Sequence, residues 1–201
     1  VTDIRDLVRL KKLITGIESV SNSSVTLNGK TYSYVWGSEF DGNSLDTSKF
    51  AYTSDMNASG NLSLVKDSLA YADVKDGNLV LTAKKDGDTY KSAGCIGTPS
   101  KMHYKYGYVE IRAKVPFGTA TFPAFWAKSV NMGKGYLEDN EYGVEIDVFE
   151  QHISTNGIAS NVHKWEKDGN SMTTTNLGNS KPPTTVSTTN EYHTYGFEWY
   201  E

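Results

Sequence analysis

The chain has 201 residues, enough for one domain with a substantial core, and 12% of them are aromatic. Its net charge of −4 comes without any long basic run, which excludes the footprint of a nucleic-acid binder, and no apolar stretch approaches the length of a membrane span. Cys95 is the only cysteine, so an intrachain disulfide is excluded. That residue reads as a small buried hydrophobe, with a reactive thiol as the alternative.

Residues 3–15 differ from everything that follows. Ile4, Leu7, Val8, Leu10, Leu13 and Ile14 recur at helical spacing, with Thr2 or Asp3 as cap and Gly16 as stop. The run resembles the exit helix of a dockerin-type calcium repeat. The calcium-loop residues that would precede such a helix are missing, so neither calcium nor a cohesin partner is expected from it. We read residues 1–22 as a helix and linker that dock on the domain beginning at residue 23.

From Ser23 onward, strand patterns alternate with turn clusters. Residues 25–35 carry a hairpin signal at Asn28-Gly29. Residues 61–72 and 78–84 read as strands around the turn at Lys75-Asp76-Gly77. Further strands are expected at 104–115, 124–128, 144–150, 158–165 and 192–199. Residues 129–141 read as a loop, and the polar stretch 166–190, with Pro182-Pro183, as a long exposed one. Gly, Ser, Thr, Asn and Asp are plentiful, which suits a β-sandwich with many turns. No repeat of fixed period is visible.

The run Glu-Ile-Asp-Val-Phe-Glu at 145–150 carries the most chemistry. Three acids alternate with β-branched and aromatic residues, the pattern of a strand that buries one face. Residues two apart on a strand share a face, so Glu145 and Asp147 point one way, and Ile146 and Val148 point into a core. Glu150 stands at an odd spacing and would fall on the wrong face of a regular strand. One extra residue near Val148-Phe149, a β-bulge, returns it to the carboxylate row. Like charges side by side cost stability, which points to a tuned acid/base set. An acidic strand that faces solvent or binds a cation is the alternative.

The motif Glu-x-Asp-x-x-Glu resembles the signature of glycoside hydrolase family 16, in its bulged form. Other segments resemble the same family in the same order. Residues 35–50 (Val-Trp-Gly-Ser-Glu-Phe-Asp-Gly…Phe) resemble its opening strand and turn, with Phe50 where Trp is common. Residues 106–116 resemble its long central strand. Thr121-Phe-Pro-Ala-Phe-Trp126 resembles its Trp-Pro-Ala-x-Trp segment, with Phe122 in the first Trp position. Asn161-Val-His-Lys-Trp165 and Tyr192-His-Thr-Tyr-Gly-Phe-Glu-Trp199 resemble two further strands. The likeness spans residues 33–201.

The resemblance implies an all-β fold: a two-sheet antiparallel β-jelly-roll sandwich with a concave substrate cleft, here preceded by the N-terminal helix. It implies a retaining, secreted or cell-surface endo-β-glycan hydrolase, with Glu145 as nucleophile, Glu150 as acid/base and Asp147 between them. A retaining pair stands about 5–5.5 Å apart. The implied substrate is a β-1,3- or mixed-linkage β-1,3/1,4-glucan, with an agar- or carrageenan-type galactan as the alternative. A sulfated galactan would call for basic cleft residues, for which Lys128, Lys134 and Lys164 are available. A non-catalytic carbohydrate-binding module on the same fold is a further alternative, but such a module would be expected to lose one of the glutamates.

Trp126 and Trp199 are expected as sugar platforms, because the matched family positions face the cleft and an indole packs on a pyranose. Trp165 reads as platform or core. His163 reads as a donor to a sugar hydroxyl or to the acidic cluster, or as a structural histidine. Asn61 and Arg112 are candidate cleft residues, and Arg112 could pair with Glu110 or Glu145 or simply sit on the surface. Trp36 reads as core. The remaining histidines have no metal-ligand spacing, so no catalytic metal is expected. The resemblance implies a structural calcium near the opening strand, with ligands that these residues do not identify. The family carries several strands beyond the position of Glu201, so we expect the missing strands to come from a longer chain or a second polypeptide.

Overall fold

The computed structural model describes residues 6–9, 24–53, 62–64, 72–86, 89–92, 95–115, 122–130, 141–151, 158–168, 171–180 and 191–201. Every regular element among them is a strand. Val1–Gly107 with Trp199–Glu201 form one compact unit, and Tyr108–Glu198 form another.

The first unit is built from short strands and tight turns. Strand β1 (Asp6–Arg9) runs parallel to β3 (Lys30–Gly37), which also pairs with β2 (Ser24–Leu27) as an antiparallel hairpin. The hairpin turns at Asn28 and Gly29, with φ of 49° and 75°. The turn between β6 (Ala72–Lys75) and β7 (Asn78–Leu81) has the same form, with φ of 51° at Asp76 and 69° at Gly77. Positive φ at both central residues is the twist that a two-residue hairpin needs, and Asn-Gly and Asp-Gly reach it at least cost. Strand β4 (Ala51–Thr53) pairs with β10 (Cys95–Gly97), and β9 (Thr89–Ser92) lies between β5 (Leu62–Leu64) and β8 (Ala83–Asp86).

Phe40, Leu45, Phe50 and Val74 form the core of this unit, with Trp36, Tyr52, Leu79 and Ile96 packed on it. The Phe50 ring meets Trp36 edge-on at 5.3 Å and Phe40 at 5.6 Å. Trp36 is therefore core material, as expected. Phe50 is buried in that core.

The second unit contains β11 (Gly107–Ala113), β12 (Ala124–Lys128), β13 (Glu141–Gln151), β14 (Ile158–Asp168), β15 (Ser171–Ser180) and β16 (His193–Trp199). Strands β12-β13-β14-β15 form one antiparallel sheet in that order, and β16 neighbours β11. Val115, Phe149 and Ile158 form the core, joined by Ile111, Ala113, Phe125 and Tyr195. Phe149 and Tyr195 stack at 4.5 Å. Gly196 faces Tyr108 so closely that a Cβ there would run into the phenol ring.

Two expectations need correction. Within the stretch read as a helix, residues 6–9 are a strand: Asp6 pairs with Ser33, and Arg9 with Gly37. A short helical pattern gains little without a long apolar stripe, and β3 offers a ladder of backbone partners instead. The rest of residues 1–22 lies outside the described residues. The loop expected over 166–190 contains β15, whose residues 173–178 are all exposed. A strand with both faces in water carries no apolar alternation, so it reads as loop. Its Thr173-Thr174-Thr175 run nonetheless suits a ladder. Most of the expected 129–141 loop lies outside the described residues, although Glu141 already belongs to β13.

Candidate active site

Strand β13 sits between β12 and β14, and its register decides which side chains meet. Asp147 lies opposite Trp126 on β12 and Asn161 on β14, while Glu145 lies opposite Lys128 and His163. Glu150 lies opposite Ala124 and Ala159. Between Asp147 and Glu150 the strand advances three residues while β14 advances two, from Asn161 to Ala159. This is the bulge that the odd spacing of the acids requires. Val148 and Phe149 are both buried within it, at 7% and 3% exposure. Two consecutive residues thus enter the core, and Glu150 returns to the face of Glu145 and Asp147. Directly opposed residues share a face. The acid row therefore shares its face with Trp126 and Lys128 on one side, and with Asn161, His163 and Trp165 on the other.

Each glutamate receives a neutral donor from β14. The Trp165 indole Nε1 donates to Glu145 Oε2 at 2.8 Å. The Asn161 amide donates to Glu150 Oε2 at 3.2 Å. Trp165 lies directly opposite Gly143. Gly143 has φ of 136°, a backbone conformation that favours glycine.

Asp147 is treated differently. Its side chain is only 1% exposed, and among the described residues neither carboxyl oxygen accepts a hydrogen bond. The nearest candidate, His163 Nε2, lies 3.4 Å from Oδ2. On its other ring nitrogen, His163 shares a 3.4 Å hydrogen bond with the Thr174 hydroxyl. Burial pushes the Asp147 carboxyl up to about 8, helped by the charges of Glu150 and Glu145 and, in its protonated form, by hydrogen bonds to both. Buried beside two other carboxyl groups, it keeps a proton at neutral pH, and that proton belongs to the row as a whole. The arrangement can therefore hold one anionic carboxylate and deliver or accept one proton.

Six of the residues picked from sequence thus share one face: Glu145, Asp147, Glu150, Trp126, His163 and Trp165. Trp165 serves there as a donor to Glu145. Arg112 is engaged elsewhere, its guanidinium 4.6 Å from the centre of the Tyr192 ring. Trp199 packs edge-on against Tyr106 at 5.3 Å and Tyr104 at 6.1 Å within the first unit. Asn61 lies outside the described residues. Asn161 is a site residue that the sequence reading does not pick out. Its signal is its position two residues before His163, which places both on one face of β14.

Comparison with known proteins identifies the family. The sequence model of Glycosyl hydrolases family 16 matches residues 58–201. A Beta-glucanase of Rhodothermus marinus is 32% identical over 82% of this chain and 58% of its own length. Glucan endo-1,3-beta-glucosidase A1 of Niallia circulans is 29% identical over 83% of this chain and 27% of its own. The chain therefore spans between about a quarter and just over half of the length of these two relatives. Among solved structures, the endo-1,3-beta-glucanase of Streptomyces sioyaensis superposes with a TM-score of 0.58. It is 19% identical, and the match covers 92% of this chain and 70% of that one. It is a likeness of fold.

Proposed function

Because the chain belongs to family 16 of the glycosyl hydrolases, we propose that it carries the catalytic row of a retaining endo-β-glycan hydrolase acting on β-1,3- or mixed-linkage β-1,3/1,4-glucan. The observation that carries this reading is the bulge, which brings Glu150 back beside Glu145 with a proton-holding acid between them.

Glu145, held by the Trp165 indole, is the nucleophile. The hydrogen bond from the indole N–H limits the orientations open to the attacking carboxylate. Glu150 protonates the departing glycosidic oxygen. Water then resolves the glycosyl-enzyme, with Glu150 as base. Asp147 keeps a proton on the row at neutral pH, because close like charges do not all ionise. Both half-reactions need only carboxyl groups and water, so no cofactor is involved in the chemistry. Trp126, on the same face as the acids, is positioned to stack on a sugar ring.

The glucan preference is supported by the names of the two sequence relatives. A galactanase reading has one structural point in its favour, Lys128 opposite Glu145. Lys164 falls on the other face of β14 and pairs with Glu166 at 3.1 Å, and Lys134 lies outside the described residues. Because the substrate is a polymer too large to enter a cell, we place the enzyme outside it or on its surface. A reducing-sugar assay across laminarin, mixed-linkage glucan, agarose and carrageenan tests the assignment. Release from the first two, abolished by Glu145→Gln, is expected. Release from the galactans alone would replace the substrate, and binding without cleavage of any polymer would favour the carbohydrate-binding alternative.

A further inference from the structure

The acid row contains an electrostatic deficit that its hydrogen bonds do not cover. Glu145 and Glu150 each have an N–H donor, but Asp147, almost fully buried, has none among the described residues. Its oxygens face the other two carboxyl groups and the His163 ring. One ligand atom each from Asp147, Glu150 and His163 lies within 4.8 Å of the others. Two oxygens and an imidazole nitrogen around one point form the donor set of a divalent ion of borderline softness.

We infer that Asp147, Glu150 and His163 form a binding site for one zinc-class divalent cation, and that its occupation switches the row off. The spacing fits. Zinc–ligand bonds of about 2.0–2.1 Å set tetrahedral ligands about 3.3 Å apart. Asp147 Oδ2 and His163 Nε2 stand 3.4 Å apart already. Only the Glu150 carboxyl has to swing inward, and its side chain is half-buried rather than locked in the core. The register also fits, since these residues project from adjacent strands onto one face. Thr174 holds the far nitrogen of His163, as metal-binding histidines are commonly held. Zinc bound to the Glu150 carboxylate occupies the oxygens that must reach the leaving group, so the bound ion and the catalytic acid exclude one another. Calcium is a poor fit, because it demands six or more oxygen ligands and gains little from imidazole.

The inhibition part rests on the glycosidase reading, whereas the binding part does not. The test therefore begins without substrate. Zinc chloride is titrated calorimetrically into the protein in a non-chelating buffer, with calcium chloride as the control. One zinc per chain is expected, weakened at least about tenfold in both His163→Gln and Glu150→Gln, and untouched by calcium. Circular dichroism establishes that each variant is folded; if one is not, the other and Asp147→Asn decide. No zinc binding, or binding of unchanged strength in the folded variants, overturns the site. On active protein, zinc is expected to stop hydrolysis and a chelator to restore it. Binding at this site without any loss of hydrolysis overturns the switch.

Discussion

Strands β11 and β13 each bury an acid, and they treat it in opposite ways. On β11, Glu110 is 8% exposed and accepts a hydrogen bond from the Tyr108 hydroxyl two residues away at 3.0 Å. The phenol occupies space that a side chain at position 196 would fill, and Gly196 leaves it free. On β13, Asp147 is buried more deeply, has no donor among the described residues and faces two more carboxyl groups. An acid buried for structural reasons is given a partner, whereas this one is left to keep its proton. A buried acid set among other carboxyl groups costs stability, and the cost persists where chemistry uses it.

The comparison breaks most decisively at Glu145. Glu145→Gln is expected to lower turnover on the order of 10⁴-fold or more with the fold intact, checked by steady-state kinetics beside circular dichroism. Glu150→Gln should be severe on polysaccharide yet milder on aryl glycosides, whose leaving groups need no proton. Equal loss on both substrates would remove Glu150 from the acid/base role.

Trp165→Phe keeps the ring and deletes the donor to Glu145. A hydrogen bond to a charged group contributes about 1.5–3 kcal/mol, so kcat should fall roughly 10- to 150-fold. If only KM rises, Trp165 is a sugar platform and not a support for the nucleophile.

The sign of the pH effect follows from the raised Asp147 carboxyl. Below its ordinary value of 3.8 both folded and unfolded chains are protonated there. Between that value and about 8 the folded chain holds a proton that the unfolded chain has lost, so stability falls as pH rises across this window. A tenfold difference in proton affinity between the two states is worth about 1.4 kcal/mol. Asp147→Asn should flatten the fall, as measured by Tm across that range. An unchanged slope would mean that Asp147 titrates normally.

The smallest effect belongs to the β11 acid. Tyr108→Phe should cost about 1–3 kcal/mol in denaturant unfolding and leave kcat within about twofold. A large loss of activity there would tie Glu110 to the chemistry and dissolve the contrast.

The legible parts of the molecule are those where local chemistry and tertiary structure agree. Asn28-Gly29 and Asp76-Gly77 mark two hairpins because only such residues reach that twist cheaply. The bulge is legible because three acids at positions 145, 147 and 150 share a face only if one residue is extra. β15 is not legible, since a strand exposed on both faces has no apolar period. β1 misleads because its pairing with β3 is a long-range event that local periodicity does not encode. Asn161 escapes notice because an amide on a strand is ordinary until the register sets it beside Glu150. Trp165 stands open between platform and core in the sequence, because local pattern does not encode its indole bond to Glu145 across the sheet.

The most direct test of the central claim is the stereochemistry of the first product. Proton NMR of freshly cleaved laminarin or mixed-linkage glucan resolves the anomers before they equilibrate. Two carboxyl groups brought together by the bulge, acting through a glycosyl-enzyme, predict that the β-anomer appears first and the α-anomer grows in by mutarotation. Initial release of the α-anomer would mean direct attack by water, and would contradict the roles given to Glu145 and Glu150.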